Sequence, residues 1–219
     1  MTELRICFVG DSITHGTQDD TALGWPGRLV AQARRRGHDL SHYNLGIRRD
    51  TSRDIFARWR AECEARLPST SPGAIVFSFG VNDMACDATS LFRVPPPESH
   101  KIAEAMVAEA AARWPVLWLS PVPIGRGGKA FKTGAAAQQL EDDYQDKRLE
   151  QLVPNYAGIA AKLKVPYLDL FTPLVRSRRW RWALSKGGDG VHPSAFGYAM
   201  MARMIGRWPA WQTWLKENR

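Results

Sequence analysis

The sequence predicts an α/β protein in which a parallel β-sheet lies between two layers of helices. Short, mostly apolar runs, of which residues 4–9 are the first, alternate with longer segments whose apolar residues recur at helical spacing. Runs of this kind are typical of strands that are buried on both faces. Right-handed crossovers between such strands give a three-layer α/β/α sandwich. The 219 residues show no repeat or linker, so we expect one domain over residues 1–219.

Five runs are predicted as strands, at residues 4–9, 40–44, 74–79, 116–119 and 165–170. Between and after them, apolar residues spaced three or four positions apart predict helices. These stripes are Trp25, Leu29, Val30 and Ala33; Ile55, Trp59, Cys63 and Leu67; Ile102, Met106 and Ala110; and Tyr198, Met201 and Ile205.

Local signals place several helix ends. Gly37 suits the end of the first helix, and Thr51 with Asp54 resembles a capping box that starts the second. Residues 138–164 are predicted as a long helix that is broken or kinked near Pro154. The tail has helical spacing too, and we expect it to dock on the core rather than to anchor the chain to a membrane. Its apolar residues are Trp208, Trp211, Trp214 and Leu215.

The chain is basic, with a formal net charge of +8 and a pI of about 9.7. Such a charge suits nucleic acid, anionic lipid or acidic substrates. The stretch RSRRWRW, residues 176–182, mixes bases with aromatic residues. We predict that it forms a solvated surface with its tryptophans turned inward, because no nucleic-acid-binding module surrounds it. Nucleic acid is therefore not an expected partner.

Other bulk features indicate a cytoplasmic protein. The three cysteines, Cys7, Cys63 and Cys86, form neither a disulfide framework nor a zinc pattern. The N-terminal MTELRICFVG lacks the apolar core of a signal peptide, and no apolar run approaches the length of a membrane span. We expect a reducing setting and no transmembrane segment. The oligomeric state stays open.

Polar residues follow the predicted strands where each one ends. GDS follows the first strand, NLG the second, GVND the third, and DGVHP precedes the last helix. In open parallel sheets ligands bind beyond the carboxyl ends of the strands. A hydroxyl, backbone donors, an amide and an acid–histidine pair are therefore expected at one crevice. Together they are the parts required for acyl transfer.

Phosphate binding fits these residues poorly. A dinucleotide fingerprint starting at Gly10 needs glycine where Ser12 stands, and a Walker A loop needs lysine after Gly16, where Thr17 stands. The later Gly128-Lys129 lacks the hydroxyl residue that should follow. A phosphate loop of the kind found in other doubly wound sheets stays open on the fold alone.

The motifs GDSIT, NLG, GVND and DGVHP resemble, in order, the four signature blocks of the SGNH hydrolases, the GDSL esterase/lipase family. GWPGRL and RRDTS also resemble stretches of small bacterial members. One departure is Ile13, where the family name has leucine. The resemblance implies a single SGNH-hydrolase-like domain with a flavodoxin-like sheet of five parallel strands in the order 2-1-3-4-5. It also implies hydrolysis of esters or thioesters with no metal and no cofactor.

The resemblance assigns roles to matching residues. Ser12 is the nucleophile, His192 the base that accepts its proton, and Asp189 the acid that orients His192. The oxyanion donors are the backbone N–H groups of Ser12 and Gly46 and the side-chain amide of Asn82. We interpret Asp11 as a capping residue and Asp83 as a structural anchor.

The expected function is that of a serine ester hydrolase acting through an acyl-enzyme. Its expected partner is a small-molecule ester, with short acyl chains or O-acetyl groups preferred. The basic loop 121–134, with Arg126, Lys129 and Lys132, hints at an anionic group on the substrate. The alternative is a non-catalytic basic protein on the same fold that binds nucleic acid or anionic lipid.

Overall fold

The computed structural model describes residues 3–218 and contains a five-stranded, all-parallel sheet with the predicted order β2-β1-β3-β4-β5. Residues 1, 2 and 219 of the predicted domain lie outside the described residues. In the register of the sheet, Gly10 pairs with Gly46 on one side and Ser78 on the other, so three strands end together. The strands are β1 (Leu4–Gly10), β2 (Leu40–Gly46), β3 (Gly73–Ser78), β4 (Val116–Leu119) and β5 (Tyr167–Leu168).

Helices cover both faces of the sheet. They are α1 (Ser12–His15), α2 (Gly24–Arg35), α3 (Ser52–Glu64), α4 (Pro96–Ala111), α5 (Ala135–Gln138), α6 (Tyr144–Lys162), α7 (Phe171–Val175), α8 (Arg178–Ser185), α9 (Ala195–Arg207) and α10 (Pro209–Glu217), with a 3₁₀ helix at Gly125–Phe131. Within residues 3–218, no helix combines the length and the apolar composition that a membrane span needs.

The three central strands, β1, β3 and β4, are buried on both faces, as their sequences predict, whereas the edge strands β2 and β5 are partly exposed. In β1, Phe8 packs in a core with α2 and α9, whereas Val9 packs in a second core with α3, α4 and α6. Side chains of successive strand residues point to opposite faces, so this alternation divides one apolar run between two cores. The C-terminal tail forms α10, in which Trp211 and Trp214 are buried, so the predicted docking on the core is confirmed.

Three helix predictions need correction. The stripe of α4 is rotated, because Ile102 is only half-buried while Ala103 and Val107 are buried. The helix predicted over 138–164 spans Tyr144–Lys162, and the break expected near Pro154 does not occur. Proline has no N–H to donate to the carbonyl of Glu150. Because Pro154 lies on the exposed face of α6, water can hydrogen-bond this carbonyl instead.

Two further predictions are only partly correct. In α8, Trp180 is buried as expected, but Trp182 points outward and is 53% exposed. Residues 178–185 form a helix that buries one stripe only, so the two tryptophans, two positions apart, cannot both face the core. Strand β5 is shorter than predicted because the N–H of Leu170 donates to Ser120 Oγ at 2.9 Å, which turns the chain into α7.

Candidate active site

Ser12 stands at the start of a single helical turn directly beyond β1. Asp11 caps this turn, with Oδ1 accepting from the N–H of Ile13 at 2.9 Å, as the sequence indicated. Because Ser12 is the first residue of the helix, its own N–H has no acceptor within the helix. The turn therefore presents a hydroxyl and a free backbone donor at the open end of the sheet.

Asp189 and His192 lie on the loop that leads into α9, and the structure brings them to Ser12. His192 Nε2 lies 2.8 Å from Ser12 Oγ, and His192 Nδ1 lies 2.8 Å from Asp189 Oδ2. The other oxygen of Asp189 accepts the backbone N–H groups of Val191 at 2.9 Å and His192 at 2.7 Å. One carboxylate thus fixes both the loop and the imidazole ring.

Those same hydrogen bonds keep Asp189 ionised. Burial alone would raise the pKa of Asp189, but bonds from the backbone and side chain of His192 and from Val191 N–H outweigh it. The net result is a pKa below the ordinary value of an aspartate. The carboxylate is therefore able to hold the Nδ1 proton of His192 and to stabilise an imidazolium.

A hydrogen bond also ties the helix that follows His192 to the segment that follows Ser12. The hydroxyl of Tyr198, in α9, donates to the carbonyl oxygen of Thr17 at 2.7 Å, and both groups are buried. Ser12 and His192 are 180 residues apart in the chain, and this bond limits how far their two segments can separate.

Asn82 lies on the loop after β3 and is 5% exposed. Its Nδ2 donates to the carbonyl oxygen of Asp50 at 2.9 Å. A side-chain amide carries two N–H groups, so the second remains for a ligand.

Asp83, the next residue, is the anchor that the sequence indicated. Its carboxylate accepts from Ser52 N–H at 2.7 Å and from Ser99 Oγ at 2.6 Å. Ser99 Oγ in turn lies 2.7 Å from the hydroxyl of Tyr156. Asp83 thereby fixes the loop that carries Asn82 to the starts of α3 and α4 and to α6.

The predicted donor at Gly46 is engaged elsewhere. Gly46 donates its single N–H to Asn44 Oδ1 at 3.0 Å. Glycine is required there for space, because a Cβ would stand 2.2 Å from the backbone nitrogen of His15. Gly46 is not among the residues with a positive φ, whereas Arg49, three residues later, has a φ of 71°.

Arg49 lies in a turn that Asp50 N–H closes on the carbonyl of Ile47 at 3.3 Å. Its positive φ is strained for a residue other than glycine. Among residues 3–218, no hydrogen-bond acceptor is found for the Arg49 N–H. Arg49 directly precedes Asp50, whose carbonyl accepts from Asn82. The turn beside Asn82 therefore carries an unpaired backbone N–H, in addition to the one at Ser12.

Arg58, in α3, joins the segments around the site, and sequence reasoning missed it. Its Nη2 donates to the carbonyl of Gly10 at 3.0 Å, and its Nε donates to Asp50 Oδ2 at 2.8 Å. One guanidinium therefore connects the end of β1, just before Ser12, to the turn that holds Asn82. An arginine four residues before Glu62 reads in the sequence as an ordinary surface ion pair, which gave no signal of this role.

The basic loop behaves differently from its sequence-based interpretation. Lys132 is engaged by the carbonyl of Leu140 and by Asp142, and Lys129 lies 4.0 Å from Asp142. Within residues 3–218, Arg126 is the member of the three that makes no ion pair or side-chain hydrogen bond. Lys132 is therefore unsuited to bind an anionic substrate group.

Gly127, in the same loop, packs against the loop that carries Asp189. A Cβ on Gly127 would stand 1.8 Å from the carbonyl oxygen of Gly190, so only glycine allows this approach. A cleft of about 1000 Å³ lies between this segment and α8, and Asp189 contributes to its wall.

Asp11 is a buried carboxyl group whose second oxygen has no hydrogen-bond partner among the described residues. Burial raises its pKa to about 7, against the lowering effect of the Ile13 N–H bond. The folded protein therefore holds a proton here that the unfolded chain, with a pKa of about 3.9, releases. Asp11 accordingly destabilises the fold as the pH rises from about 4 to about 7.

Asp11→Asn should remove this pH dependence. The free energy of unfolding of the variant, relative to wild type, should rise by up to about 4 kcal/mol between pH 4 and pH 8. Chemical denaturation at several pH values measures the difference, and any constant cost of the amide cancels. Parallel pH curves for the two proteins would show that Asp11 does not titrate in this range.

Comparison with known proteins assigns the chain to a family. A profile described as the GDSL-like Lipase/Acylhydrolase family matches residues 8–200. A search of curated proteins finds no match. Among the described residues, no group of three His, Cys, Asp or Glu side chains is arranged to hold a metal ion.

Solved structures with similar folds come from several bacteria. The lipase/acylhydrolase from Enterococcus faecalis has a TM-score of 0.70 and 21% identity, over 93% of each chain. Axe2, an acetylxylan esterase from Geobacillus stearothermophilus, has a TM-score of 0.67 and 19% identity, over 94% of this chain and 95% of Axe2.

A putative lipolytic protein of the G-D-S-L family from Desulfitobacterium hafniense DCB-2 has a TM-score of 0.64 and 20% identity, over 93% of this chain and 98% of that one. These likenesses agree on the architecture, and the family profile covers every segment that carries Ser12, Asn82, Asp189 and His192. The chain therefore belongs to the GDSL-like lipase/acylhydrolase family and is a hydrolase of ester bonds.

Proposed function

We propose that the protein hydrolyses esters through a covalent acyl-enzyme formed on Ser12. The observation that carries the proposal is the continuous chain of contacts from Asp189 through His192 to Ser12, with 2.8 Å at each side-chain step. A serine hydroxyl becomes nucleophilic when a positioned base removes its proton. The arrangement provides that base and the acid that orients it.

In the proposed reaction, Ser12 Oγ attacks the acyl carbon while His192 Nε2 takes the hydroxyl proton. His192 then returns this proton to the leaving alcohol as the bond between acyl carbon and alcohol oxygen breaks. A water molecule repeats the sequence on the acyl-enzyme and releases the acid. Asp189 holds Nδ1–H throughout and stabilises the imidazolium.

The negative charge of the tetrahedral intermediate requires donors that are already in place. We assign this role to Ser12 N–H, to the free N–H of Asn82 Nδ2 and to Arg49 N–H. Arg49 replaces Gly46 in the set because the N–H of Gly46 is already donated to Asn44. The unpaired state of the Arg49 N–H and its position beside Asp50 support this assignment.

Short acyl chains and O-acetyl groups are the proposed substrates. A long acyl chain needs an apolar trough, and most of the tryptophans are unable to form one because they are buried in the two cores, as are Trp25, Trp59 and Trp118. Phe92 is covered by the guanidinium of Arg148, which lies 3.9 Å from its ring centroid. The similarity to Axe2, named as an acetylxylan esterase, is in keeping with a small acyl group.

A panel of 4-nitrophenyl acetate, butyrate and decanoate tests this proposal. We expect kcat/KM to fall from acetate or butyrate to decanoate, with Ser12→Ala as the control for background hydrolysis. A higher kcat/KM for decanoate would contradict the short-chain assignment. Turnover by Ser12→Ala equal to that of wild type would contradict the proposed nucleophile.

Arg58→Gln should lower kcat by on the order of 10- to 100-fold and leave KM nearly unchanged. The reason is that Arg58 aligns the segment of Ser12 with the turn that holds Asn82, without itself reaching the substrate. Steady-state kinetics on the acetate ester measure both constants. The kcat of Arg58→Lys, which retains a donor, should lie between the values of wild type and Arg58→Gln.

Arg60→Gln is the matched control for this prediction. Arg60 lies in the same helix, but it pairs with Glu64 and Glu109 on the surface. Its removal should leave kcat unchanged, since exposed ion pairs contribute little. Equal kcat values for folded Arg58→Gln and Arg60→Gln would show that Arg58 only supports the fold.

A further inference from the structure

Helix α8 presents a cationic face. Five side chains in or beside it are exposed: Arg176, Arg178, Arg179, Arg181 and Lys186. None of them makes a hydrogen bond or an ion pair with another side chain in residues 3–218. Residues 170–188 contain no acidic residue, so the segment itself supplies no counter-charge.

An exposed aromatic pair joins α8 to the start of α9. Trp182 is 53% exposed, and Phe196, from the start of α9, is 44% exposed. Their ring centroids are 5.9 Å apart and their planes meet at 84°. Single exposed apolar residues are common on proteins, but two large exposed rings in contact, one of them on a helix that carries several unpaired cations, are a feature that requires explanation.

The face adjoins the active site. Asp189 follows α8 by four residues, and Phe196 follows His192 by the same number. Arg181 and Arg126 line the cleft of about 1000 Å³ together with Asp189. Two acids also line it, but Asp146 accepts the N–H groups of Ile124 and Gly125, and Asp143 lies 3.5 Å from Lys147.

We propose that the α8 face, defined as Arg176, Arg178, Arg179, Arg181, Trp182, Lys186 and Phe196, docks on an anionic lipid surface. Its cations would contact headgroup phosphates, while Trp182 and Phe196 enter the boundary between headgroups and acyl chains. Docking in this way places the loop of Asp189 and His192 next to the lipid. The proposal goes beyond ester hydrolysis and does not depend on the catalytic roles assigned above.

The geometry of the aromatic pair favours lipid over nucleic acid. Single-stranded nucleic acid binds where successive bases stack on open ring faces. Here the two rings meet edge to face and form one compact apolar knob. Such a knob with surrounding arginines matches the apolar and polar parts of an interfacial segment.

Vesicle co-sedimentation tests the proposal. The full chain should bind vesicles of phosphatidylcholine mixed with phosphatidylglycerol and should not bind phosphatidylcholine alone. Arg178→Gln with Arg179→Gln should weaken this binding by at least about tenfold. The matched control is Arg35→Gln with Arg36→Gln, which removes two exposed cations at the end of α2 and should bind like wild type.

Three further measurements keep the test decisive. Trp182→Ser with Phe196→Ser should weaken the binding that survives at high salt, since that part comes from apolar insertion. Ser12→Ala should bind vesicles normally, so failure of the catalytic proposal leaves this result intact. Arg178→Gln with Arg179→Gln should also keep full turnover of a water-soluble ester, which shows that the variant is folded.

Several outcomes would overturn the proposal. One is equal vesicle binding by the double variant in α8, Arg178→Gln with Arg179→Gln, and the double variant at the end of α2, Arg35→Gln with Arg36→Gln. Another is weak binding of wild type to the vesicles together with tight binding to a single-stranded oligonucleotide. If Arg178→Gln with Arg179→Gln abolished that oligonucleotide binding, the face would be assigned to nucleic acid. Absence of any binding to the anionic vesicles would also end it.

Discussion

His192→Ala is expected to lower kcat by on the order of 10⁴- to 10⁶-fold. Nε2 lies 2.8 Å from Ser12 Oγ, and among residues 3–218 we identify no second base at the hydroxyl. Without the imidazole, the serine proton must go to water, and the leaving alcohol must depart without a positioned acid. Single-turnover and steady-state kinetics with an acetate ester measure the loss.

The double variant Ser12→Ala with His192→Ala is the sharper control for this prediction. The two residues act as one unit, so the double variant should be no slower than the slower single variant. Additive losses would mean that the two groups act in separate steps. A His192→Ala protein with near-normal kcat would show that another group is the base.

Asn82→Ala is expected to lower kcat by on the order of 10²- to 10³-fold, with a smaller effect on KM. The amide would donate to an oxygen whose charge develops fully only near the tetrahedral state, so the loss falls on kcat. Asn82→Asp should be at least as slow, because a carboxylate would face that charge. The reaction of Ser12 with a fluorophosphonate should slow as well, since the phosphoryl oxygen uses the same donors.

Thermal unfolding separates this role from a structural one. Asn82 also donates to the carbonyl of Asp50, so part of its contribution belongs to the fold. If that were its whole role, Asn82→Ala would lower Tm and spare the kcat of the folded protein. The control Asn155→Ala removes an exposed asparagine in α6 and should change neither quantity. Folded Asn82→Ala with more than about a third of wild-type kcat would contradict the oxyanion role.

The sheet could be predicted from the sequence because its signals are local. Residues 6–9 of β1 are apolar at consecutive positions, and burial in two cores requires that pattern. The failures come from tertiary contacts that override local pattern. Ser120 captures the N–H of Leu170 and shortens β5, and exposure of Pro154 lets α6 continue. The sequence around Leu170 does not reveal that the hydroxyl of Ser120, 50 residues away, lies beside it. The sequence around Pro154 likewise did not tell us which side of the helix the proline faces.

The same division holds for the site. Ser12, Asp189 and His192 stand in compact motifs, so their meeting follows from the strand order. The donor that we propose at Arg49 does not, because a turn that holds this residue at a φ of 71° gives no glycine signal. Arg58 was missed because its acceptors, Gly10 and Asp50, are distant in sequence or outside its helix. The contact with Gly10 is made by a backbone oxygen, which leaves no trace in residue identity.

Labelling with a fluorophosphonate, followed by intact mass and peptide mapping, tests the central claim most directly. We predict one adduct per chain, located on Ser12, absent in Ser12→Ala and much slower to form in His192→Ala. The rate should be normal in Arg60→Gln, which excludes a general effect of surface substitutions. Folded wild-type protein that takes up no label, or that carries it on a residue other than Ser12, would contradict the account.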